Sequence, residues 1–266
     1  MTTRKLLIYT FNLILRCHRN LIFEQAAGLT YRVLLAFFPF LIFIVSLLAM
    51  LDVDESAILE GLFYVLPGDI AALVHEFLQE LGSNAGLMST ALFFSVYNTS
   101  NGFRAIVRIT NRAYGIRDRR NFIGQVGISF LLMLLFSATL IVMLVLLVFR
   151  RQIWQAFFPT GSELLFSIAG GGGALVVLVF VTTAIYRLAC AKPLPIKHVL
   201  PGAVFTVIAW VVISSVFGFA ISNFTQYSAI YGSIAGVFVL ILWLNIISVV
   251  LLIGNEANAV FREYYP

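Results

Sequence analysis

Charge is what this chain has least of. Asp, Glu, Lys and Arg make up 11% of its 266 residues and hydrophobic residues 61%, against about 25% and roughly 45–50% in soluble domains. So few polar side chains cannot cover the surface of a soluble fold of this length, and lipid must supply the missing solvent. Cysteine is scarce as well. Cys17 and Cys190 both fall in segments placed in the cytoplasm, where thiols stay reduced and a structural disulfide is not expected. The histidines, His18, His75 and His198, stand apart, none at metal-ligand spacing. The N-terminus is not expected to be a cleavable leader: Arg4 and Lys5 precede Leu6–Leu15, but Arg16, His18 and Arg19 follow with no small-residue cleavage site. Residues 4–30 read instead as an amphipathic cytoplasmic or interfacial helix leading into a first span.

Long apolar runs are what the chain does have. They cover Val33–Leu51, Leu87–Val107, Val126–Phe149, Leu164–Leu188, Val199–Ile221 and Ser233–Asn255. At about 1.5 Å per residue each crosses the hydrocarbon core as a helix. A transmembrane barrel would need short alternating strands instead. The expected fold is therefore all-α: six transmembrane helices in a single domain over residues 1–266. The second run is interrupted by Tyr97, Asn98, Thr99, Ser100, Asn101 and Arg104, which a helix buried in protein tolerates and a lipid-exposed one does not.

Charge sets the orientation. Basic residues gather before span 1 (Arg4, Lys5, Arg16, Arg19, Arg32) and after span 2 (Arg104, Arg108, Arg112, Arg117, Arg119, Arg120). Others lie between spans 4 and 5 (Arg187, Lys192, Lys197) and after span 6 (Arg262), so 15 of the 17 share one side and only Arg150 and Arg151 do not. The positive-inside rule puts that side, with both termini, in the cytoplasm. The 51–86 loop has no Lys or Arg but seven acids: Asp52, Asp54, Glu55, Glu60, Asp69, Glu76 and Glu80. Its apolar faces, Ala57 to Leu66 and Ile70 to Leu81, broken by Pro67-Gly68, predict two short helices on the outer surface. A net charge of +5 here means anchoring at anionic headgroups rather than nucleic-acid binding.

No active site is legible. There is no phosphate loop, serine-nucleophile motif or metal-binding spacing, and Glu24, Asp118, Glu256 and Glu263 are too scattered for a two-metal nuclease. Polarity near the membrane is more informative. Asn98, Asn101, Arg104, Arg108 and Arg112 recur at helical spacing and form a stripe that grows more basic toward the cytoplasm. Such a stripe binds an anionic headgroup or lines a polar path. Equally, its arginines snorkel and its asparagines bond neighbouring helices. Glu256 lies at the inner end of span 6, within reach of a base such as Arg104 or Arg32. Glu24 enters span 1 on one face with Gly28 and Tyr31/Arg32, and Asn245 sits mid-span. For both acids an interhelical ion pair is the simpler reading. Pro39 should kink span 1. Ala169 to Gly173, Gly170 to Ala174 and Gly232 to Gly236 have small-xxx-small spacing, so Gly170, Gly173, Gly232 and Gly236 mark a hinge or close helix packing.

Three segments carry a family likeness: Ala26–Pro39 (Ala-Ala-Gly-Leu-Thr-Tyr-Arg, ending Phe-Phe-Pro), Phe103–Arg120, and Tyr227 through Trp243 to Gly254-Asn-Glu-Ala-Asn258. Pro201-Gly202-Ala203 with Trp210 adds to it. The chain resembles the YihY/BrkB family of bacterial inner-membrane proteins, long labelled ribonuclease BN. Relatives usually read Gly-Ala-Glu-Leu-Asn where this chain has Gly254-Asn-Glu-Ala-Asn258, so Glu256 and Asn258 keep the pattern. Many also carry a hydrophilic tail, and no role of that tail can be carried over past Pro266. The resemblance implies a six-helix inner-membrane protein without an established catalytic set, some relatives being linked to cell-envelope phenotypes. The resulting expectation is a transporter or flippase-like protein for an anionic lipid or amphiphile. Asn98, Asn101, Arg104, Arg108 and Glu256 would then be its binding residues. A non-transporting envelope scaffold and a membrane-bound ribonuclease are the alternatives. Membrane lipids are the expected partners, with a homo-oligomer compatible with the small-residue seams. Neither a cofactor nor a nucleic-acid or soluble partner is inferred.

Overall fold

A computed structural model describes residues 3–49, 85–148, 163–223 and 233–264. Among these, seven helices run in order: α1 (Thr3–Arg19), α2 (Ile22–Ala49), α3 (Ala85–Ala113), α4 (Phe122–Val148), α5 (Glu163–Ala189), α6 (Ile196–Asn223) and α7 (Ser233–Tyr264). Four of them contain stretches long and apolar enough to cross a membrane: Phe122–Met143, Gly172–Ala189, Ile196–Phe219 and Phe238–Tyr264. The expected helices of the acidic 51–86 loop, and Gly232, lie outside the described residues.

The chain divides into two compact units, the division falling inside α2, α3, α4 and α5. One comprises Met1–Leu34, Asn101–Leu132 and Val179–Pro266, the other Leu35–Ser100 and Met133–Leu178. In the second unit, the Phe40 and Phe136 rings pack 5.7 Å apart and the Ser100 hydroxyl meets the Met133 sulfur at 3.9 Å. The first unit holds the residues that matter below. Its core joins Ile22, Ala26 and Leu29 of α2 to Ala105, Tyr186, Val199, Ala203, Leu251 and Leu252. Ile22, Ala26 and Leu29 recur every three or four residues, so one stripe of α2 is buried while Phe23, Tyr31 and Leu35 face out.

Two expectations about the N-terminus need correction. Residues 4–30 are not one helix: α1 stops at Arg19, and Leu21 adopts a left-handed φ of 52° before α2 starts. That conformation costs a leucine roughly 1–2 kcal/mol. The turn is closed by Asn20 N–H to the Arg16 carbonyl at 2.8 Å, Leu21 N–H to the His18 carbonyl at 3.0 Å, and the Gln25 amide on the Asn20 carbonyl. Glu24, in turn, makes no ion pair among the described residues. It is exposed, with Gly28, because the Ile22–Ala26–Leu29 stripe takes the core side of the helix.

The inter-helix loops are fixed by local chemistry. At the end of α3, Gly115 takes φ 62° and donates to the Arg112 carbonyl, while Ile116 N–H bonds the Asn111 carbonyl at 2.8 Å. This paired closure is the Schellman motif, and glycine supplies its left-handed residue at no steric cost. Asn121 then caps α4 by accepting from Gly124 N–H at 2.9 Å. The buried Asn111 amide ties this region to the α5–α6 loop, donating to the Ala189 carbonyl at 3.1 Å and accepting from Ala191 N–H at 2.7 Å.

Helices α6 and α7 pack along each other in antiparallel register. Gly202 N–H donates to Asn258 Oδ1 at 2.6 Å, and Trp210 Nε1–H to the Ile247 carbonyl at 3.1 Å. Between them the Tyr186 hydroxyl of α5 donates to the Leu251 carbonyl at 2.7 Å and lies 2.8 Å from Thr206 Oγ1. Glycine is required on both sides. A Cβ on Gly202 would stand 2.1 Å from the Gly254 carbonyl oxygen, and one on Gly254 would stand 1.9 Å from Thr206 Oγ1.

Candidate functional site

Toward its C-terminal end α7 carries Asn255, Glu256 and Asn258, at 1%, 2% and 0% exposure. A carboxylate so buried needs partners, since an isolated charge in a low dielectric is far too costly. They come from α1. Asn20 Nδ2–H donates to Glu256 Oε1 at 2.6 Å, and Arg16 Nε lies 3.4 Å from Oε2. The break at Asn20–Leu21 thus places the Asn20 side chain where α7 needs it.

Arg16 serves three elements at once. Its other nitrogens donate to Glu263 Oε1 at 2.5 Å and to the Ala113 carbonyl at the end of α3 at 2.7 Å. Tyr9 adds a 3.0 Å bond from its hydroxyl to the Ala257 carbonyl, and Asn12 bonds the Tyr264 hydroxyl. Glu263 is largely exposed, so its pair contributes no more than about 1 kcal/mol. The Glu256 contact matters more, because removing Arg16 would strand a buried charge. Burial, followed by the Glu256 carboxylate, pushes the nearby Cys17 thiol up to about 11, with Arg16 partly offsetting them.

A hollow of about 260 Å³ opens beside this joint, lined by Arg16, Tyr114, Ala259, Arg262 and Glu263. The Arg262 guanidinium lies 5.9 Å from the centre of the Tyr114 ring, a cation–π distance. The Tyr114 hydroxyl is buried without a hydrogen-bond partner, and burial holds its phenol above the ordinary value, as a donor at neutral pH. The Asn255 amide and Asn258 Nδ2 are also buried and unpartnered, leaving polar capacity toward the C-terminal end of α7. Among the described residues no group of three His, Cys, Asp or Glu is placed to hold a metal ion.

A family model described as virulence factor BrkB matches residues 13–266. The chain belongs to the BrkB family. A Bacillus subtilis relative named ribonuclease-like protein YfkH is 35% identical over 247 residues, covering 90% of each chain. A UPF0761 membrane protein of Alkalilimnicola ehrlichii is 27% identical over 94% of this chain, which spans only 57% of that relative. Another, from Alteromonas mediterranea, is 23% identical, covering 95% of this chain and 87% of its own. No solved structure matches.

Within this BrkB-family chain the residues expected to form the site are not all brought together. Glu256 is held by Arg16 and Asn20, not by Arg104 or Arg32. Arg104 lies 5.6 Å from the Phe122 ring centre with its Nε buried and unpartnered, while Arg108 and Arg112 are exposed. Asn98 bonds the Phe94 carbonyl of its own helix at 3.0 Å and belongs to the second unit; Asn101, half-buried, belongs to the first. Asn245 faces protein as expected, donating to Thr30 Oγ1 at 3.3 Å. Pro39 lies inside a continuous α2, and α5 runs unbroken through Gly170 and Gly173. Among the described residues, a Cβ on Gly173 would meet nothing within 4 Å. Gly236 lies within α7.

Sequence reasoning missed Arg16, Asn20, Gly202 and Gly254. For the glycines a signal existed, since glycine costs an apolar helix about 1 kcal/mol and persists where backbones approach. Arg16 looked like one basic residue among several.

Proposed function

We propose that this BrkB-family protein spans the bacterial plasma membrane six times, with both termini in the cytoplasm. In this reading it moves an anionic lipid or amphiphile of the cell envelope and is not an enzyme. Helices α2 and α3, 28 and 29 residues long, join the four apolar spans to make six. The observation that carries the reading is Glu256: a carboxylate 2% exposed in an apolar helix, beside a hollow holding Arg16, Arg262 and Tyr114. An ionisable group buried in a membrane-spanning helix is by default a candidate for a substrate path. Exposed Arg108 and Arg112 supply headgroup attraction at the same cytoplasmic side, with Asn101 and Arg104 as polar groups on the same helix.

The test is transbilayer exchange of fluorescent anionic and zwitterionic lipids in liposomes holding the purified protein. Exchange of the anionic probe that falls at least tenfold in Glu256→Gln supports the reading. Exchange no faster than in empty liposomes overturns it.

A scaffold reading has its own support in the α6–α7 seam, where Gly202 and Gly254 leave no space for even a methyl group. A scaffold would show no exchange in either variant. The name of the Bacillus relative raises a ribonuclease reading; cleavage of RNA by the purified protein with added divalent metal would establish it against the transport reading.

A further inference from the structure

Outside the Glu256 joint, the loops 114–121 and 190–195 form the walls of a second, open hollow of about 570 Å³, lined by Arg117, Arg119, Arg120 and Lys192. That volume is within the roughly 300–1,000 Å³ typical of small-molecule sites. We propose that this hollow binds a phosphate oxyanion, carried by a phospholipid headgroup or by a soluble phosphate. The inference deepens the proposed handling of an anionic amphiphile and rests on that reading only for its place at the membrane surface.

Four cations meet with no carboxylate in the lining. The nearest acid, Asp118, is already engaged: its Oδ1 accepts from Arg120 N–H at 3.0 Å and lies 3.9 Å from Arg120 Nε. Like charges held together this way repel one another unless an anion joins them. The walls are nevertheless fixed in advance. Gly115 turns the first loop, Asn111 bonds both Ala189 and Ala191, and Arg120 Nη2–H donates to the Cys190 carbonyl at 2.7 Å. Arg120 is therefore held by one arm while its other nitrogen, Nη1, is buried with no hydrogen-bond partner. A planar guanidinium with an unused donor suits a phosphate oxygen, and a site prepared in advance loses little entropy on binding.

The hollow also lies at the ends of the apolar spans. Residues 115–120 directly precede Phe122–Met143, and Ala191 and Lys192 separate Gly172–Ala189 from Ile196–Phe219. Exposed Phe122 and Ile123, at 71% and 78%, follow the cations immediately. That is the order of chemistry in an anionic amphiphile, charge first and hydrocarbon next.

The experiment measures binding rather than transport. The full-length protein in neutral detergent is titrated with short-chain phosphatidic acid, with phosphatidylcholine of equal chain length, and with inorganic phosphate as competitor, by native mass spectrometry. Saturable binding of phosphatidic acid is expected, weakened at least fivefold by Arg117→Gln and by Lys192→Gln, and unchanged by Arg187→Gln, an exposed arginine outside the hollow. Arg120→Lys keeps the charge but loses the forked geometry, and should weaken binding more than it lowers the melting temperature, which Arg117→Gln should leave unchanged. Displacement by millimolar phosphate would assign the site to a soluble phosphate; resistance to it, with phosphatidylcholine unbound, would assign it to a lipid headgroup. Equal losses in Arg187→Gln, or no loss in Arg117→Gln and Lys192→Gln, would overturn the proposal. Intact binding without lipid exchange would count against transport alone.

Discussion

The α6–α7 seam and the α1–α7 joint hold the same helix by opposite means. At the seam, backbones approach until only glycine fits, and the polar bonds are neutral: Gly202 to Asn258, Tyr186 to Leu251 and Thr206, Trp210 to Ile247. At the joint, long side chains reach across and the bonds are charged: Arg16 to Glu256 and Glu263, Asn20 to Glu256. The side of α7, not its level, accounts for the difference, since Gly254 and Asn258 flank Glu256 within one turn. Neutral bonds cost little to bury and gain strength where water is excluded. A buried carboxylate needs a hydrogen-bonded partner, and Arg16 here also reaches the exposed Glu263. The seam is held by backbone contact and the joint by long side chains.

That contrast can be broken from either side. The largest effect is expected from Gly202→Ala, whose methyl would collide with the backbone carbonyl of Gly254 at 2.1 Å. Neither backbone can yield without moving a helix, so about 3 kcal/mol or more should be lost, read as thermal unfolding in detergent. A stability within about 0.5 kcal/mol of the parent would show that the seam is not close-packed. Next comes Arg16→Ala. It strands Glu256 but acts on a residue with 14% of its side chain exposed, so the loss should be about 2 kcal/mol, below the roughly 3–5 of a wholly buried pair. Glu256→Gln, which keeps an oxygen for Asn20, should cost less.

Salt sharpens the comparison. Going from 0.1 to 1 M shortens the screening length from about 10 to 3 Å. Release of α1, followed by limited proteolysis, should rise slightly with salt, through the exposed Arg16–Glu263 pair alone, while the effect of Gly202→Ala should not change.

The smallest effect concerns Cys17. Its thiol is raised from 9.0 to about 11, so between those values it stays protonated where an ordinary thiol would ionise. The folded joint binds the extra proton: its stability is complete below pH 9 and declines as pH rises through about 11. In a Cys190→Ser background, iodoacetamide should modify Cys17 slowly at pH 9. Arg16→Ala should speed the reaction if α1 lifts away, and slow it if α1 stays docked, because Arg16 favours the thiolate.

The long apolar runs fall on helices α2 to α7, and there the structure adds mainly the helix ends. Span 6, read as ending at Asn255, continues as α7 to Tyr264, because Ala257, Ala259 and Val260 remain buried. The break at Asn20–Leu21 was not legible: leucine carries no signal for a left-handed turn, and the turn forms because Asn20 is needed at Glu256. The ion pair of Glu256 was legible as a type of interaction but not as a partner. Pairing depends on which helix lies alongside, and a basic residue in α1, α2 or α3 satisfies the sequence equally well.

By itself, then, the sequence determined the solvent, the helices and the family, since each follows from composition, apolar run length or local motif. Tertiary structure alone decided that Gly202 meets Gly254, that Arg16 rather than Arg104 neutralises Glu256, and that Arg117, Arg119, Arg120 and Lys192 line one hollow. Those are contacts between residues far apart in the chain, and among apolar helices in lipid no hydrophobic effect chooses which of them meet, because lipid tails are as apolar as the helices. Only side-chain shape and hydrogen-bond geometry select the register.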